Sequence, residues 1–367
     1  MTAPPSSPPA APVLGLLARL GGPHRRGRQF GSQGWPRPLE PALPEAQLPS
    51  LRARLAPVLA RLNADRQAWV ARTERELRLA AGLAALAGLV LGWSMGGLPL
   101  GLALMLGGAA FALLLLMGRV QGSPRTATKH AIVGALAPEL TGLTSVPPDA
   151  RAALFTPERL EGWRLARPVH SVTVDECLTG EREGYHARVA RIGLYIGNAN
   201  NREAEVGGGL CLVAVELTAG DDHDGTPTLV IPTDAARALR AAPLSPRPPQ
   251  MATGDADFDA RYHVFGDAAP LGAQARAAFA ALEAVTRADP TCTREVPPGS
   301  GLRPFVILRP GQVTVLTPLA LFDGAFDPPP VWQSLDADTL IPRFASDLLA
   351  LDQHLTAALA LTKGLSR

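Results

Sequence analysis

The chain has 367 residues, 47% of them hydrophobic, which is enough for one sizeable domain with accessory segments or for two small domains. A net charge of +2 and an aromatic content of 5% give no basis for nucleic-acid binding. Three widely spaced cysteines, without a Cys-x-x-Cys pair, argue against a disulfide framework or a zinc site and favour a reducing compartment.

The N-terminal part predicts a tail followed by a helix. Residues 1–49 are dense in proline and glycine and predict a disordered tail. Residues 50–78 predict a juxtamembrane amphipathic helix with Ser50 as its N-cap, because apolar residues recur every three or four positions. Pro57 predicts a kink or a later helix start. We expect this helix to dock on the soluble domain of the same chain.

Residues 79–118 contain no Asp, Glu, Lys, Arg or His. As a single helix this stretch would be about 60 Å long, twice the roughly 30 Å hydrocarbon core of a bilayer. Its middle reads Ser-Met-Gly-Gly-Leu-Pro, a composition that favours a turn. We therefore predict a transmembrane hairpin with arms at 79–95 and 99–117 and with the lipid bilayer as its partner.

Positive residues flank the apolar stretch on both sides: Arg72, Arg75, Arg78, Arg119, Arg125 and Lys129. Since such flanks mark the cytoplasmic side, we predict a bacterial inner-membrane protein with two spans and both termini in the cytoplasm. The same cations can contact anionic headgroups.

Residues 92–96 read Gly-Trp-Ser-Met-Gly, the G-x-S-x-G pattern of a hydrolase nucleophile elbow. An elbow serine requires preceding strands and a water-accessible base, and an apolar hairpin supplies neither. We interpret Ser94 as a turn residue, and a hydrolase with Ser94 as its nucleophile is the alternative.

Gly88, Gly92 and Gly96 form a Gly-x-x-x-Gly stripe on one face of the first arm. Small residues allow helices to approach closely. The stripe predicts packing between the two arms, with a homo-oligomer contact as the alternative.

Residues 119–330 predict a cytoplasmic α+β domain, and residues 331–367 predict a C-terminal amphipathic helix. Short runs rich in Val, Ile and Leu are separated by Gly-, Asn- and Asp-rich turns, which is typical of an antiparallel sheet. They include SVTVDECL, YHARVARIGLYIG, GLCLVAVELTA, TLVIPT and DADFDARYHVFG, followed by a helix and a hairpin with Pro310-Gly311 at its turn. The predicted fold class is therefore α+β, with helices flanking the sheet.

The densest polar cluster is Asp221, Asp222, His223 and Asp224. Three carboxylates and an imidazole could hold a cation. The cluster lies between two apolar strand runs, however, where Asp and Gly are typical of a turn. We expect an exposed loop with no metal or cofactor, and a metal site at these four residues is the alternative.

Three further sets of side chains are interpreted as structural. They are Asp255, Asp257 and Asp259 on a solvated face or helix-capping loop, His170, His186 and His263 in or beside strands, and Cys177 and Cys211 as small buried hydrophobes.

Three segments resemble a bacterial family of unknown function whose members carry a membrane hairpin before a soluble domain. The segments are LFTPERLEGW, GGLCLVAVELTAGDDHDGTPTLVIP and DADFDARYHVFGDAAP. In the third segment Phe258, Val264 and Asp267 fall on the family's pattern, and Tyr262 stands in place of its aromatic. The resemblance implies membrane anchoring and a cytoplasmic domain, and it transfers no catalytic residues.

These observations together predict a membrane-tethered cytoplasmic domain that works by binding an unidentified partner protein or the membrane surface. The alternative is a hydrolase-type enzyme that uses Ser94 or a metal near His223. A third possibility is a structural role through hairpin oligomers.

Overall fold

The computed structural model describes residues 43, 45–119, 124–156, 169–196, 209–220, 226–233, 249–267, 271–288, 303–319 and 326–365. The helices in these ranges are α1 (Leu48–Arg119), α2 (Arg125–Leu140), α3 (Pro148–Leu154), α4 (Ala256–Arg261), α5 (Ala273–Ala288) and α6 (Ala337–Leu365). The strands are β1 (Thr144–Ser145), β2 (Val169–Arg182), β3 (Tyr185–Ile196), β4 (Gly209–Thr218), β5 (Thr228–Pro232), β6 (Gln250–Met251), β7 (Tyr262–Phe265), β8 (Phe305–Arg309) and β9 (Gln312–Leu319). The predicted tail, residues 1–49, lies almost entirely outside the described residues.

The described residues form two units. Residues 45–132 and 326–343 make up a helical unit, and the remaining ranges make up a sheet unit that includes residues 344–365. The predicted α+β class is confirmed, because helices occur together with a nine-stranded antiparallel sheet.

The first part of α1 buries an apolar face, formed by Leu51, Leu55, Leu59, Leu62, Val70 and Leu77. The helix begins at Leu48, after a 3-10 turn at Glu45–Gln47. Ser50 therefore lies inside the helix, and its Oγ donates to the Gln47 carbonyl (2.9 Å) instead of capping the helix. The helix also continues through Pro57, because burial of the flanking leucines offsets the hydrogen bond that proline cannot donate.

Residues 326–336, the proline segment, lie against α1 through Arg66. The Arg66 guanidinium donates to the carbonyls of Pro329 (2.9 Å), Pro330 and Val331 (3.3 Å), and only 2% of Arg66 is exposed. Burial lowers the pKa of Arg66 to about 10, so the group stays charged at neutral pH. Buried carbonyls need donors, and the prolines themselves have no N–H to offer.

Asn63 fixes the other end of the proline segment. Its Nδ2 donates to the Leu335 carbonyl (2.9 Å), and the Leu335 N–H donates to its Oδ1 (2.7 Å). Asp336 then caps α6, because its carboxylate accepts from the N–H and hydroxyl of Thr339 (3.0 Å each). Because Asn63 and Arg66 lie three residues apart on one helix face, they set the rotation of α1 against this segment.

Four of the cations predicted to contact headgroups have partners within the helical unit. Arg72 pairs with Glu76 (2.8 Å) and Arg78 with Glu74 (3.2 Å). Arg125 pairs with Asp327, and the Lys129 ammonium lies 5.5 Å from the centre of the Phe326 ring, with Lys129 3% exposed. Before the apolar stretch, Arg72 and Arg78 keep 80% and 57% of their side chains exposed. Those two remain accessible to headgroups, whereas Lys129 does not.

The apolar stretch belongs to a single helix, α1, where the sequence predicts two separate helices. Within the described residues, one helix is long and apolar enough to cross a membrane by length and composition, from Glu45 to Ala112. The backbone leaves helical geometry at Gly96 (φ −153°, ψ 17°) and Gly97 (φ 77°, ψ −167°). The positive φ of Gly97 is one that only glycine adopts readily.

Glycines in the segments before and after this break lie very close to the backbone of the opposite segment. A Cβ built on Gly88 would lie 2.6 Å from the Leu104 carbonyl carbon, and one on Gly108 would lie 2.8 Å from the Ala84 carbonyl oxygen. A Cβ on Gly92 would lie 2.5 Å from the Gly101 Cα. In a straight helix residues 88 and 104 would be about 24 Å apart, so the break changes the direction of the chain.

The nine strands lie in the order β1-β2-β3-β4-β9-β8-β5-β7-β6, all antiparallel. β2, β3 and β4 follow one another as a meander. The β8–β9 hairpin fills the space between β4 and β5, with the Pro310-Gly311 turn where the sequence predicts it and a φ of 66° at Gly311. β2 carries register shifts near residues 170 and 175, which mark β-bulges.

One face of the sheet holds a cluster of buried side chains: Val146, Phe155, Cys177, Ala190, Ile192, Leu212, Ala214, Leu229, Phe265, Phe305, Ile307 and Leu316. All but Val146 and Phe155 come from strands whose alternating apolar pattern predicts this burial. DADFDARYHVFG differs from its prediction as a single strand, since residues 256–261 form α4 and only Tyr262–Phe265 form β7.

We predict that Arg66→Met lowers the free energy of unfolding by about 2–4 kcal/mol. The carbonyls of Pro329 and Val331 lose the guanidinium donor, and that of Pro330 keeps only the Gln333 N–H (2.9 Å). The measurement is the denaturant midpoint of the full-length protein in detergent. The matched control is Arg61→Met, whose side chain is 86% exposed and lies 3.8 Å from Asp65. Its expected effect is within about 0.5 kcal/mol. Equal midpoints for the two variants would contradict the role given to Arg66.

We predict that Gly88→Ala lowers the thermal midpoint in detergent, because the new methyl group meets the backbone of Leu104. The expected cost is about 1–3 kcal/mol. Gly107→Ala is the control, since a Cβ there meets nothing within 4 Å. Alanine at that site is expected to be neutral or stabilising by up to about 1 kcal/mol. The close approach would be refuted by similar losses in both variants.

Candidate binding cleft

A cleft lies at the end of the sheet where β3 begins and β4 ends. In an antiparallel sheet, one strand starts and its neighbour stops at the same end of the sheet. This end therefore also holds the β8–β9 turn, the start of β5 and the end of β7. The Ala219 N–H donates to the Gly311 carbonyl (2.7 Å) and joins β4 to the turn.

The cleft has a volume of about 420 Å³. Four apolar side chains, Leu217, Leu308, Val313 and Leu365, contribute to its lining. Polar side chains also line it: Tyr185, Thr226, Asp267, Arg309 and Gln312. An apolar lining with a few polar groups of both charge signs suits a small organic ligand or a short peptide segment.

Thr228 and Asp267 hold one wall of the cleft together. The Thr228 hydroxyl donates to the Asp267 carbonyl (2.9 Å) and accepts from the Asp267 N–H (3.2 Å). Gly266 between the strands has a φ of 103°, and a Cβ there would lie 3.0 Å from the Pro227 carbonyl. The close passage of these two backbones therefore requires glycine at this position.

Ser94 lies in the helical unit, away from any acid or base in its own stretch of sequence. Its Oγ donates to the Leu91 carbonyl (2.7 Å), a local contact typical of serine in a helix. Residues 79–118 offer no Asp, Glu or His as a general base. No hydrolytic constellation is assembled around Ser94 by that stretch.

The acidic cluster at Asp221, Asp222, His223 and Asp224 lies outside the described residues, which resume at Thr226 in the cleft. Among the residues that are described, no group of three or more His, Cys, Asp or Glu side chains is arranged to hold a metal ion.

His186 and His263 do not share a site. His186 contacts Glu181 (3.3 Å) and Thr179 (3.3 Å), and His263 contacts Gln250 (3.0 Å). β3 and β7 are five strand positions apart in the sheet, about 24 Å at the usual strand spacing. The side chain of His170 lies outside the described residues.

Asp255 caps a helix, as one of its two sequence interpretations proposes. Its Oδ1 accepts from the Phe258 N–H (3.1 Å), and this backbone hydrogen bond lowers the pKa of the carboxyl, with Arg276 nearby adding to the effect. Asp259 accepts from the N–H and hydroxyl of Thr253 (3.1 and 2.8 Å). Both carboxylates therefore order the backbone around α4.

Cys177 is fully buried in the sheet core, as predicted. Burial raises the pKa of its thiol to about 12, so the group stays protonated at neutral pH and is a poor nucleophile. The side chain of Cys211 lies outside the described residues.

The cleft and the contacts of Arg66 are not among the sites inferred from the sequence. The run Pro328-Pro329-Pro330 carries a usable signal, because it presents carbonyls without N–H donors and so requires a donor from elsewhere. No comparable signal marks the cleft, whose lining comes from strand ends and from the last turn of α6, which are distant in sequence.

Comparisons with protein-family models, curated proteins and solved structures find no match to this chain. The resemblance to a membrane-hairpin family therefore stays a prediction.

Proposed function

We propose that this protein is a membrane-tethered binding protein, with the apolar part of α1 in a lipid bilayer and the sheet unit presenting its cleft in the cytoplasm. The observation that carries the proposal is the distribution of exposed apolar side chains. Of the large hydrophobic residues exposed in the described part of the chain, all but Met251 lie between Leu79 and Phe111. Leu83, Met95 and Leu106 are 69%, 70% and 68% exposed.

Such a concentrated apolar surface requires cover. Leaving this surface in water would cost roughly 25 cal/mol of free energy for each Å² of apolar area, whereas contact with lipid tails removes that cost. The flanking arginines and the lack of any charge from Leu79 to Gly118 favour a bilayer over a soluble partner.

In this proposal the chain folds back at Gly96 and Gly97, and each arm of about 17–20 residues crosses the bilayer. The close approaches at Gly88, Gly92 and Gly108 support packing of the arms within one chain. Trp93, 62% exposed near the break, is placed to anchor the interface on the far side. The positive flanks then put both termini in the cytoplasm of a bacterial cell.

The binding role rests on the cleft. The cleft combines an apolar lining with polar side chains, which suits the binding of a ligand. Tethering would raise the local concentration of whatever the cleft recognises near the membrane.

We predict that the full-length protein sediments with membranes and resists alkaline extraction. Leu86→Arg combined with Val90→Arg should shift protein to the soluble fraction, since each arginine costs about 2.5–3.5 kcal/mol at a span centre. Met251→Arg, at an exposed apolar residue outside the stretch, is the control. Protein that stays in the supernatant without detergent would refute the membrane proposal.

Fusions of a reporter test the orientation. A fluorescent reporter at either terminus should be active in the cytoplasm, and an alkaline phosphatase inserted between Gly96 and Gly97 should be active in the periplasm. Periplasmic activity at a terminus would overturn the two-span arrangement and leave the membrane association intact.

We predict that a small-molecule extract of bacterial cells raises the thermal midpoint of the full-length protein in detergent. Ala219→Trp should abolish the shift, because an indole at this exposed lining residue fills the cleft. Ala280→Trp, at an exposed position of α5, is the matched control and should keep the shift. A shift that survives Ala219→Trp, or no shift in the wild type, would count against small-ligand binding in this cleft.

A further inference from the structure

Arg191 on β3 is a buried arginine on the face of the sheet opposite the buried cluster. Side chains alternate between the two faces along a strand, and its neighbours Ala190 and Ile192 belong to that cluster. Arg191 therefore points to the other face, where its cross-strand partners are Glu176 on β2 and Val213 on β4. Only 3% of Arg191 is exposed. The guanidinium is thus removed from water and needs acceptors in its surroundings.

The carboxylate of Glu176 already has other donors. Its Oε1 accepts from Ser145 Oγ (2.7 Å) and from Arg151 Nη2, and Glu176 is fully buried. Arg151 also donates from Nε to the Val146 carbonyl and from Nη1 to the Asp175 carbonyl (2.7 Å each). All three nitrogens of this arginine therefore have acceptors.

Arg191 differs from Arg151 in this respect. Within the described part of the chain, no atom accepts a hydrogen bond from its Nε or its Nη2. Arg66, which is equally buried, donates to carbonyls of the proline segment. Burial of a charged donor without an acceptor is costly, and a ligand that supplies acceptors would offset that cost.

The two nitrogens determine which group Arg191 can bind. In a guanidinium, Nε–H and Nη2–H lie side by side on one edge and point in the same direction. This edge donates two parallel hydrogen bonds to two oxygens on one atom, as in a carboxylate or a phosphate group. Val189 and Val213 lie beside Arg191 on the same face and are each 1% exposed. The low dielectric of such surroundings strengthens a charged hydrogen bond.

We propose that Arg191 binds the oxyanion group of a small ligand, a carboxylate or a phosphate, through Nε and Nη2. Because so little of Arg191 is exposed, the oxyanion group alone reaches it. Ala187, the cross-strand partner of the cleft residue Leu217, precedes Arg191 on β3 by about 13 Å at the usual rise of a strand. The inference is therefore independent of the cleft and of the membrane proposal.

The test measures the thermal midpoint of the full-length protein in detergent, in sodium phosphate, sodium acetate and sodium chloride at the same ionic strength. We expect phosphate or acetate to raise the midpoint of the wild type by about 4 °C relative to chloride, because a ligand that binds only the folded state stabilises it. A rise in phosphate alone identifies a phosphate ligand, and a rise in acetate identifies a carboxylate.

Arg191→Met separates specific binding from the general stabilising effect of phosphate on proteins. In chloride its midpoint should equal or exceed that of the wild type, because an apolar side chain replaces a buried charge without an acceptor. The additional rise in phosphate or acetate should disappear. Arg287→Met, the same substitution at an arginine whose side chain is 69% exposed, is the matched control and should keep the rise.

Two results would overturn the proposal. One is a wild type that gains no more from phosphate or acetate than Arg191→Met does. The other is a lower midpoint of Arg191→Met in chloride, which would show that the guanidinium has a stabilising partner within the protein.

Discussion

One buried guanidinium organises the helical unit. The proline segment presents three consecutive carbonyls to α1, and its prolines cannot supply donors of their own. The Arg66 guanidinium donates hydrogen bonds to all three carbonyls. A lysine ammonium could not do so with the same fixed geometry. Since carbonyls and guanidinium are buried together, each would be costly without the other. The rotation of α1, and with it the direction in which its apolar face points, follows from this contact.

The sequence predicts local structure well in this chain because much of it has a clear period. Alternating apolar residues mark β2, β3, β4 and β5, and Pro310-Gly311 marks the turn between β8 and β9. The order of strands is beyond such reasoning, because β9 pairs with β4 across about a hundred residues of sequence. The lining of the cleft depends on that order, so its residues carry no local signature.

Local patterns mislead at the segment DADFDARYHVFG. The sequence predicts a single strand there, yet residues 256–261 form α4, which the Asp255 carboxylate caps, a competing use that short polar side chains favour. Arg66 lies on the apolar face of α1, four residues from both Leu62 and Val70, and it is buried, whereas Arg61 lies off that face and is exposed. The difference is set by carbonyls more than 260 positions further along the chain.

The edge strands of the sheet limit strand pairing between copies of the protein. Its outermost strands, β1 and β6, contain two residues each, and β2 is interrupted by two bulges along the part that β1 leaves unpaired. Short or irregular edge strands offer a neighbouring molecule few evenly spaced N–H and C=O groups with which to form backbone hydrogen bonds. Copies of this domain at high surface density would therefore not pair their edge strands into a continuous intermolecular sheet.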